Sequence, residues 1–383
     1  VGVVLVLPRV AHFTLWRAVV TPLASIIGSG FLLLGPVLSH AFGGFAPWVM
    51  GGLCVVAYMF GGVIRSNIAT GEDAIITGQH GTLAKRIETI SSWALAFAYI
   101  ISVSYYLNLL GAFALSMTPF DSRFDAKLLI LIVLIGCTNG FKSLERMEYF
   151  SVAIKLAIIA GLVIGLIVNF GDQAIHETLI FNPETVTGWP AITIALGLLI
   201  TVQGFETSRY LGAVYDAQTR IRSMRMAQWL STVIYVVYIV LIAYVFRPDQ
   251  MSMTETGIIN MMQIVAPILP FLLVAAALAS QLSAAIADTS GSGGLFTELS
   301  RNRISEPQAY FILAVIGIAL TWAADIFAIV NYASRGFAIY YGLQSGLAAV
   351  IAIKQKSGLP KVIWYLALAT LGAAIAVFGQ TIE

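Results

Sequence analysis

Long apolar runs, cut by short clusters of charged and turn residues, repeat along the entire chain. A membrane-crossing helix needs roughly 20 mostly apolar residues. Eleven runs qualify, at 15–41, 44–64, 91–118, 127–141, 147–170, 190–214, 224–247, 268–297, 308–323, 326–353 and 360–380. The stretch 253–267, with Ile258, Ile259, Met262 and Ile264, is too short and polar to cross and reads as an interfacial or re-entrant helix. None of the runs alternates apolar and polar residues as a transmembrane strand does. The predicted fold is an all-α polytopic membrane protein of eleven spans.

Two of these runs are interrupted near their middles. The first contains Gly28-Ser29-Gly30, followed by Pro36; the sixth contains Gln203-Gly204-Phe205-Glu206-Thr207-Ser208. Each opens a set of five spans. Five is odd, so the second set enters the membrane upside down relative to the first, the layout of a 5+5 inverted-repeat transporter. The expected domains are 15–170 and 190–353, with 360–380 as an additional C-terminal helix. Lipid cannot hydrogen-bond to the backbone that a break frees. The N-terminus of a half-helix suits an anion, and the opposing C-terminus, with its free carbonyls, suits an ammonium or a cation. The competing reading of Gly28 and Gly30 is close helix packing, which membrane helices also achieve with glycine.

Composition and charge narrow the class. Of 383 residues, 59% are hydrophobic and 10% are charged, and mean hydropathy is +0.89. A soluble domain carries about 25% charged residues. A secreted disulfide scaffold, a nucleic-acid binder and a disordered chain are all excluded. Cys54 and Cys137 lie inside apolar runs and read as buried thiols. Val1 to Leu7 is apolar but lacks a preceding basic region, so it does not read as a cleavable signal. With the N-terminus placed in the cytoplasm, the inside segments hold fifteen Lys and Arg residues, while the outside segments hold only Arg123, Lys127 and Arg247. That asymmetry fits the positive-inside rule for a protein of the cell membrane.

The interrupted segments carry a resemblance. Ile27-Gly28-Ser29-Gly30-Phe31 and Gly204-Phe205-Glu206, with the basic link Arg220-Ile221-Arg222-Ser223-Met224-Arg225 before the seventh span, resemble the amino acid–polyamine–organocation transporter superfamily. Phe31 stands where that family usually has Ile, Asp216-Ala217-Gln218 where it often has an acidic-Asn-Pro pattern, and its usual twelfth span is absent. The resemblance implies an amino acid or related amine as substrate. It implies that Gly28, Ser29 and Gly30 present amides to a carboxylate, that Gln203 and Gly204 present carbonyls to an ammonium, and that Phe205 lies over the substrate. Some members place a lysine where Lys155 stands, at a site that Na⁺ occupies between spans 1 and 8 in sodium-coupled relatives. Transport is then sodium-independent, or proton-coupled. In those relatives hydroxyls of span 8 ligate the cation, and Ser280 or Ser283 would match them.

Charges within spans are expensive and functional by default. Lys155, Glu206, Arg209, Asp288 and Arg335 are of this kind. Lys155 either fills a cation position or snorkels to the inner interface. Ser280, Ala284 and Asp288 share one helix face; Asp288 either serves ion coupling or pairs with Lys155 or Arg335. Arg209 stands three residues after Glu206 and is expected to pair with it. Arg335 binds an anion, gates with an acidic partner, or forms a structural pair. Tyr106 in the third span, with Ser102, Ser104, Tyr105 and Asn108 near it, suits a substrate wall or an interhelical hydrogen bond.

Other chemistry is missing. There is no Gly-x-x-x-x-Gly-Lys loop, no Gly-x-Ser-x-Gly elbow, and His12, His40, His80 and His176 are scattered. No cofactor, metal, nucleic-acid partner or enzymatic activity is expected. Three classes stand: a secondary transporter of amino acids or organic cations working with H⁺ or Na⁺; an inorganic-ion carrier or channel-like protein on the same scaffold; and a non-transporting sensor or partner subunit.

Overall fold

A computed structural model describes residues 13–28, 30–116, 141–212, 214–251, 254, 256–301 and 303–380. Ser29, Cys137 and nearly all of the expected span 127–141 lie outside the described residues. Every regular element among the described residues is helical. In chain order these are α1 (Thr14–Gly28), α2 (Phe31–Phe42), α3 (Ala46–Thr70), α4 (Glu72–Ile76), α5 (Thr82–Leu115), α6 (Phe141–Ile175), α7 (Gly188–Gly197), α8 (Ala217–Ala243), α9 (Ile258–Val265), α10 (Leu269–Leu299), α11 (Glu306–Ala323), α12 (Ile326–Lys354) and α13 (Leu359–Phe378). Short 3₁₀ turns at Leu198–Val202 and Phe205–Leu211 follow α7.

The helix starts follow from local chemistry. Proline occupies the first turn of α3, α10, α11 and α13, where its missing N–H costs nothing. Asp216 caps α8 by accepting from the Thr219 N–H at 2.9 Å, a bond that holds its carboxyl below the usual range. Asp325 caps α12 through the Ala328 N–H at 2.9 Å. Several helices outrun their expected bounds, among them α5, which begins at Thr82, and α6, which extends to Ile175. Their extra turns carry Lys85, Arg86, Glu88 and Asp172, charges that a hydropathy cut excludes but a helix projecting past the hydrocarbon tolerates.

Seven helical stretches among the described residues are long and apolar enough to cross a membrane; Thr14–Gly28, Gly188–Gly197 and Pro307–Ala323 are shorter apolar helices. At eight residues, α9 is far too short to cross, and it buries Ile258, Met261 and Met262 while exposing Ile264. Helix α5 is the most enclosed crossing stretch and packs on both α10 and α12; α13 lies at the edge, against α12. The broken helix α1 runs through the interior, touching α6, α8, α10 and the 3₁₀ turn at Phe205–Leu211. Trp48, Trp189 and Trp322 are exposed near helix ends, where indole rings favour the bilayer interface.

Helix α13 is held to α12 by glycine contact. A Cβ on Gly372 would lie 2.7 Å from Gly342 Cα, 2.8 Å from Gly342 N and 2.9 Å from Ala338 O, all backbone atoms that cannot swing away. Gly372→Val should therefore cost at least about 1–3 kcal/mol, as overpacking does, and lower Tm in detergent. Gly346→Ala, on the same α12 but with open space around its Cβ position, should not lower it. Equal Tm values for the two variants would contradict this packing.

Candidate functional site

The last turn of a helix leaves carbonyls without intrahelical partners. Helix α1 ends at Gly28 inside the protein, and three side chains from three different helices donate to carbonyls of its last two turns. Lys155 Nζ of α6 donates to Ala24 O at 2.8 Å and to Ser283 Oγ at 3.3 Å. Tyr235 OH of α8 lies 2.7 Å from Ile26 O and 2.9 Å from Thr201 O, so its single hydrogen is shared between carbonyls of the two broken segments. Ser280 Oγ of α10 donates to Ile27 O at 3.2 Å. The ammonium also sits at the negative end of the helix dipole, where a cation is favoured. Lys155 is fully buried in this position, away from the interface to which a snorkelling lysine would reach.

The glycines of the first break allow close contact. A Cβ on Gly28 would come within 2.4 Å of Ala284 Cβ, and one on Gly30 within 2.7 Å of Thr201 Cγ2. Their side-chain faces are thus occupied by α10 and by the second broken segment. The helix resumes at Phe31, so the amides of the first turn of α2 follow directly on Gly30.

The second break is longer than its sequence suggests. Regular α-helix stops at Gly197, six residues before Gln203. Gly204 has φ 113°, a conformation in which a side chain is strained, and a Cβ there would lie 2.5 Å from Ser25 Oγ and 2.6 Å from Ile26 N. Glu206 turns back on this glycine: Oε2 accepts from the Gly204 N–H at 3.0 Å and from Tyr341 OH at 2.8 Å. Thr207 Oγ1 donates to Gly204 O at 2.7 Å. Gln203 Nε2 donates to Tyr106 OH at 3.0 Å. Two acceptors here, Glu206 Oε1 and Gln203 Oε1, are buried with no hydrogen-bond partner among the described residues. The Phe205 ring stacks on Tyr341 at 5.2 Å between centroids, and Tyr341 stacks in turn on Phe60.

Asp288 completes the cluster. Ser25 Oγ donates to Oδ1 at 3.2 Å, Ser102 Oγ donates to Oδ2, and Tyr106 lies alongside. Its hydrogen-bond partners are hydroxyls, and Arg335, one of the two cations considered as a partner for it, bonds elsewhere. Ser280, Ala284 and Asp288 do share a face, and that face is pressed on α1 through Ile27, Gly28 and Ser25. Arg335 stands apart, half-buried, donating from Nη2 to Gly379 O at 3.2 Å. Gly28, Gly30, Tyr106, Gln203, Gly204, Phe205, Glu206, Lys155, Ser280, Ser283 and Asp288 thus converge, Arg335 does not, and Ser29 is outside the described residues.

A family model for APC superfamily transporters matches residues 8–379. The chain belongs to the APC superfamily of transporters. An uncharacterized protein of Aquifex aeolicus (strain VF5) is 37% identical over 391 residues, covering 98% of this chain and 93% of that one. A Na⁺-coupled sialic acid symporter in a substrate-bound outward-open state has a similar fold, with TM-score 0.58 at 13% identity over 97% of this chain and 92% of that one.

One functional-looking group of this transporter escapes sequence reasoning. Arg209 does not pair with Glu206, whose carboxylate is engaged by Gly204 and Tyr341. It reaches Glu88 Oε1 at 2.8 Å, Glu72 Oε1 at 3.5 Å, and Gln344. Gln344 Nε2 donates to Glu88 Oε2 at 3.1 Å and to Ser91 Oγ at 2.7 Å, and Asn67 Nδ2 donates to Gln344 Oε1 at 2.8 Å. Arg220 Nη1 bonds both Glu72 oxygens at 2.9 Å and the Arg209 carbonyl. The network thus ties α3, α4, α5, α8 and α12 to the second break. The signal that could have found it is Asn67 and Gln344, polar residues within otherwise apolar helices.

Breaking a buried ion pair leaves an uncompensated charge and costs about 3–5 kcal/mol. Glu88→Gln and Arg209→Met should each lower Tm strongly, and the double variant should cost clearly less than the two combined. A thermal-unfolding double-mutant cycle measures this; strict additivity would show that the two charges do not interact.

Proposed function

We propose that the chain is a secondary transporter that carries amino acids or related organic cations by alternating access, without a sodium requirement. The observation that carries this reading is the Lys155 ammonium held between Ala24 O of the broken helix α1 and Ser283 of α10. A fixed cation at that position removes the need for a bound Na⁺. In this reading 15–170 and 190–353 are the two inverted five-helix units of an eleven-span protein, and 360–380 is an additional helix. The N-terminus lies on the cytoplasmic side of the cell membrane, as the Lys and Arg asymmetry supports.

The site then divides by charge. The first-turn amides of α2, beside Gly30, take the substrate carboxylate, in keeping with anion binding at helix N-termini. The unpartnered Gln203 Oε1 and Glu206 Oε1 take the ammonium. Phe205 and Tyr341, already stacked, close over it. The Arg209–Glu88–Glu72–Arg220 network holds the cytoplasmic end shut, and its hydrogen bonds must be released for substrate to leave on that side. Asp288, with Ser25 and Ser102, offers a second place for a proton, and coupling then runs through one carboxyl rather than a metal ion.

Uptake of labelled amino acids into proteoliposomes tests this, with Na⁺ and proton gradients varied independently. Uptake should persist when choline replaces Na⁺. It should fall at least tenfold in Lys155→Ala, and Asp288→Asn should lose the response to a proton gradient. Amino acid amides should compete poorly with the acids. Uptake that disappears without Na⁺ yet ignores Lys155→Ala would overturn the sodium-independent reading. Ion flux with no organic substrate would favour the ion-carrier reading.

A further inference from the structure

The helix pair α3 and α8 holds charge that the transport site does not use. Arg65 is buried, and its guanidinium folds back along α3: Nη1 donates to Gln228 Oε1, Nη2 donates to Tyr58 O at 3.3 Å, and the group lies 4.6 Å from the Tyr58 ring centroid. Gln228 is fixed in turn by Ala57 O at 2.8 Å, and it fits only because residue 61 is glycine, where a Cβ would come within 2.4 Å of Gln228 Oε1. These partners orient the guanidinium but bring no negative charge. Arg225, three residues before Gln228 on α8, adds a second positive charge on this side.

The adjoining face of α8 continues the pattern. Arg222, Arg225, Trp229 and Val233 are exposed, and their spacing of three and four residues puts them on one face. Trp229 packs on Tyr58 at 5.7 Å between centroids. Among the described residues no carboxylate pairs with Arg65, Arg222 or Arg225. The result is a basic end beside an indole and then an apolar strip, all on an outward face of a membrane helix. Indole rings mark the level where headgroups meet acyl chains, and basic groups beside that level attract anionic lipid.

We infer that the outward face of α8 beside α3 binds one anionic phospholipid, its phosphate on Arg222 and Arg225 with the buried Arg65 charge behind them, and its acyl chain along Trp229 and Val233. The anion neutralises a cluster that no carboxylate among the described residues balances. The lipid lies against two helices that flank the broken core, so its binding stabilises their packing. This inference is independent of the substrate assignment.

The test uses the full chain purified in a neutral detergent, with Tm recorded as phosphatidylglycerol, phosphatidylcholine or inorganic phosphate is added. Phosphatidylglycerol should raise Tm by several degrees, and the other two should not. Arg222→Gln/Arg225→Gln should remove most of that rise, whereas Arg86→Gln, an exposed arginine on α5, should keep it. Brominated phosphatidylglycerol should quench the emission that Trp229→Phe removes more than brominated phosphatidylcholine does. Equal shifts with both lipids, or a full shift in the double variant, would overturn the site. The same shift with inorganic phosphate alone would overturn the lipid as its ligand.

Discussion

A helix interrupted inside a bilayer exposes backbone groups that no lipid can satisfy, and the rest of this architecture follows from meeting that demand. Each unsatisfied buried group costs about 1–3 kcal/mol. The end of α1 at Gly28 offers several such carbonyls at once. Lys155, Tyr235 and Ser280 answer Ala24, Ile26 and Ile27 from three separate helices. The second break is served by Glu206 and Thr207, which bond the N–H and C=O of Gly204 from within their own segment. Tyr235 belongs to both sets, since its hydroxyl also reaches Thr201 O. The two breaks are therefore one unit, and a movement of either segment has to exchange these bonds for others.

The same constraint sorts the buried charges. Lys155 is engaged by Ala24 O and Ser283, and Glu206 by the Gly204 amide and Tyr341. Asp288 is met by hydroxyls, and Arg209 finds its acids on α4 and α5. Two electrostatic regions result: the Lys155, Glu206 and Asp288 cluster around the breaks, and a guanidinium–carboxylate network, through Arg209, at the end where the basic first turns of α8 begin. The first has acceptors to spare for a ligand, while the second is largely satisfied and acts as a tie.

Sequence reasoning reached the breaks because they carry glycine and polar residues inside apolar helices, and membrane helices rarely hold both without cause. It reached Lys155 and Asp288 for a related reason, the cost of charge in a span. It missed the Arg209 partners because residue spacing reports only neighbours along one helix. Glu206 and Arg209 are three apart, but the left-handed turn at Gly204 draws the carboxylate backward to an amide. The extent of the second break, from Leu198 onward, was equally invisible: Leu198-Leu199-Ile200-Thr201-Val202 is as apolar as any helix interior. Arg335 was a fair candidate by charge alone, and its carbonyl partner at Gly379 comes from a helix that sequence could not place beside it.

The central claim is that side chains capping the broken backbone hold both breaks in working geometry, and Tyr235→Phe tests it most directly. The substitution removes one oxygen, keeps the ring, and leaves Ile26 O and Thr201 O without that donor. On this account uptake by the reconstituted protein falls at least tenfold and Tm drops, by the equivalent of about 1–3 kcal/mol for a lost buried donor. Unchanged uptake and unchanged Tm in Tyr235→Phe would contradict it.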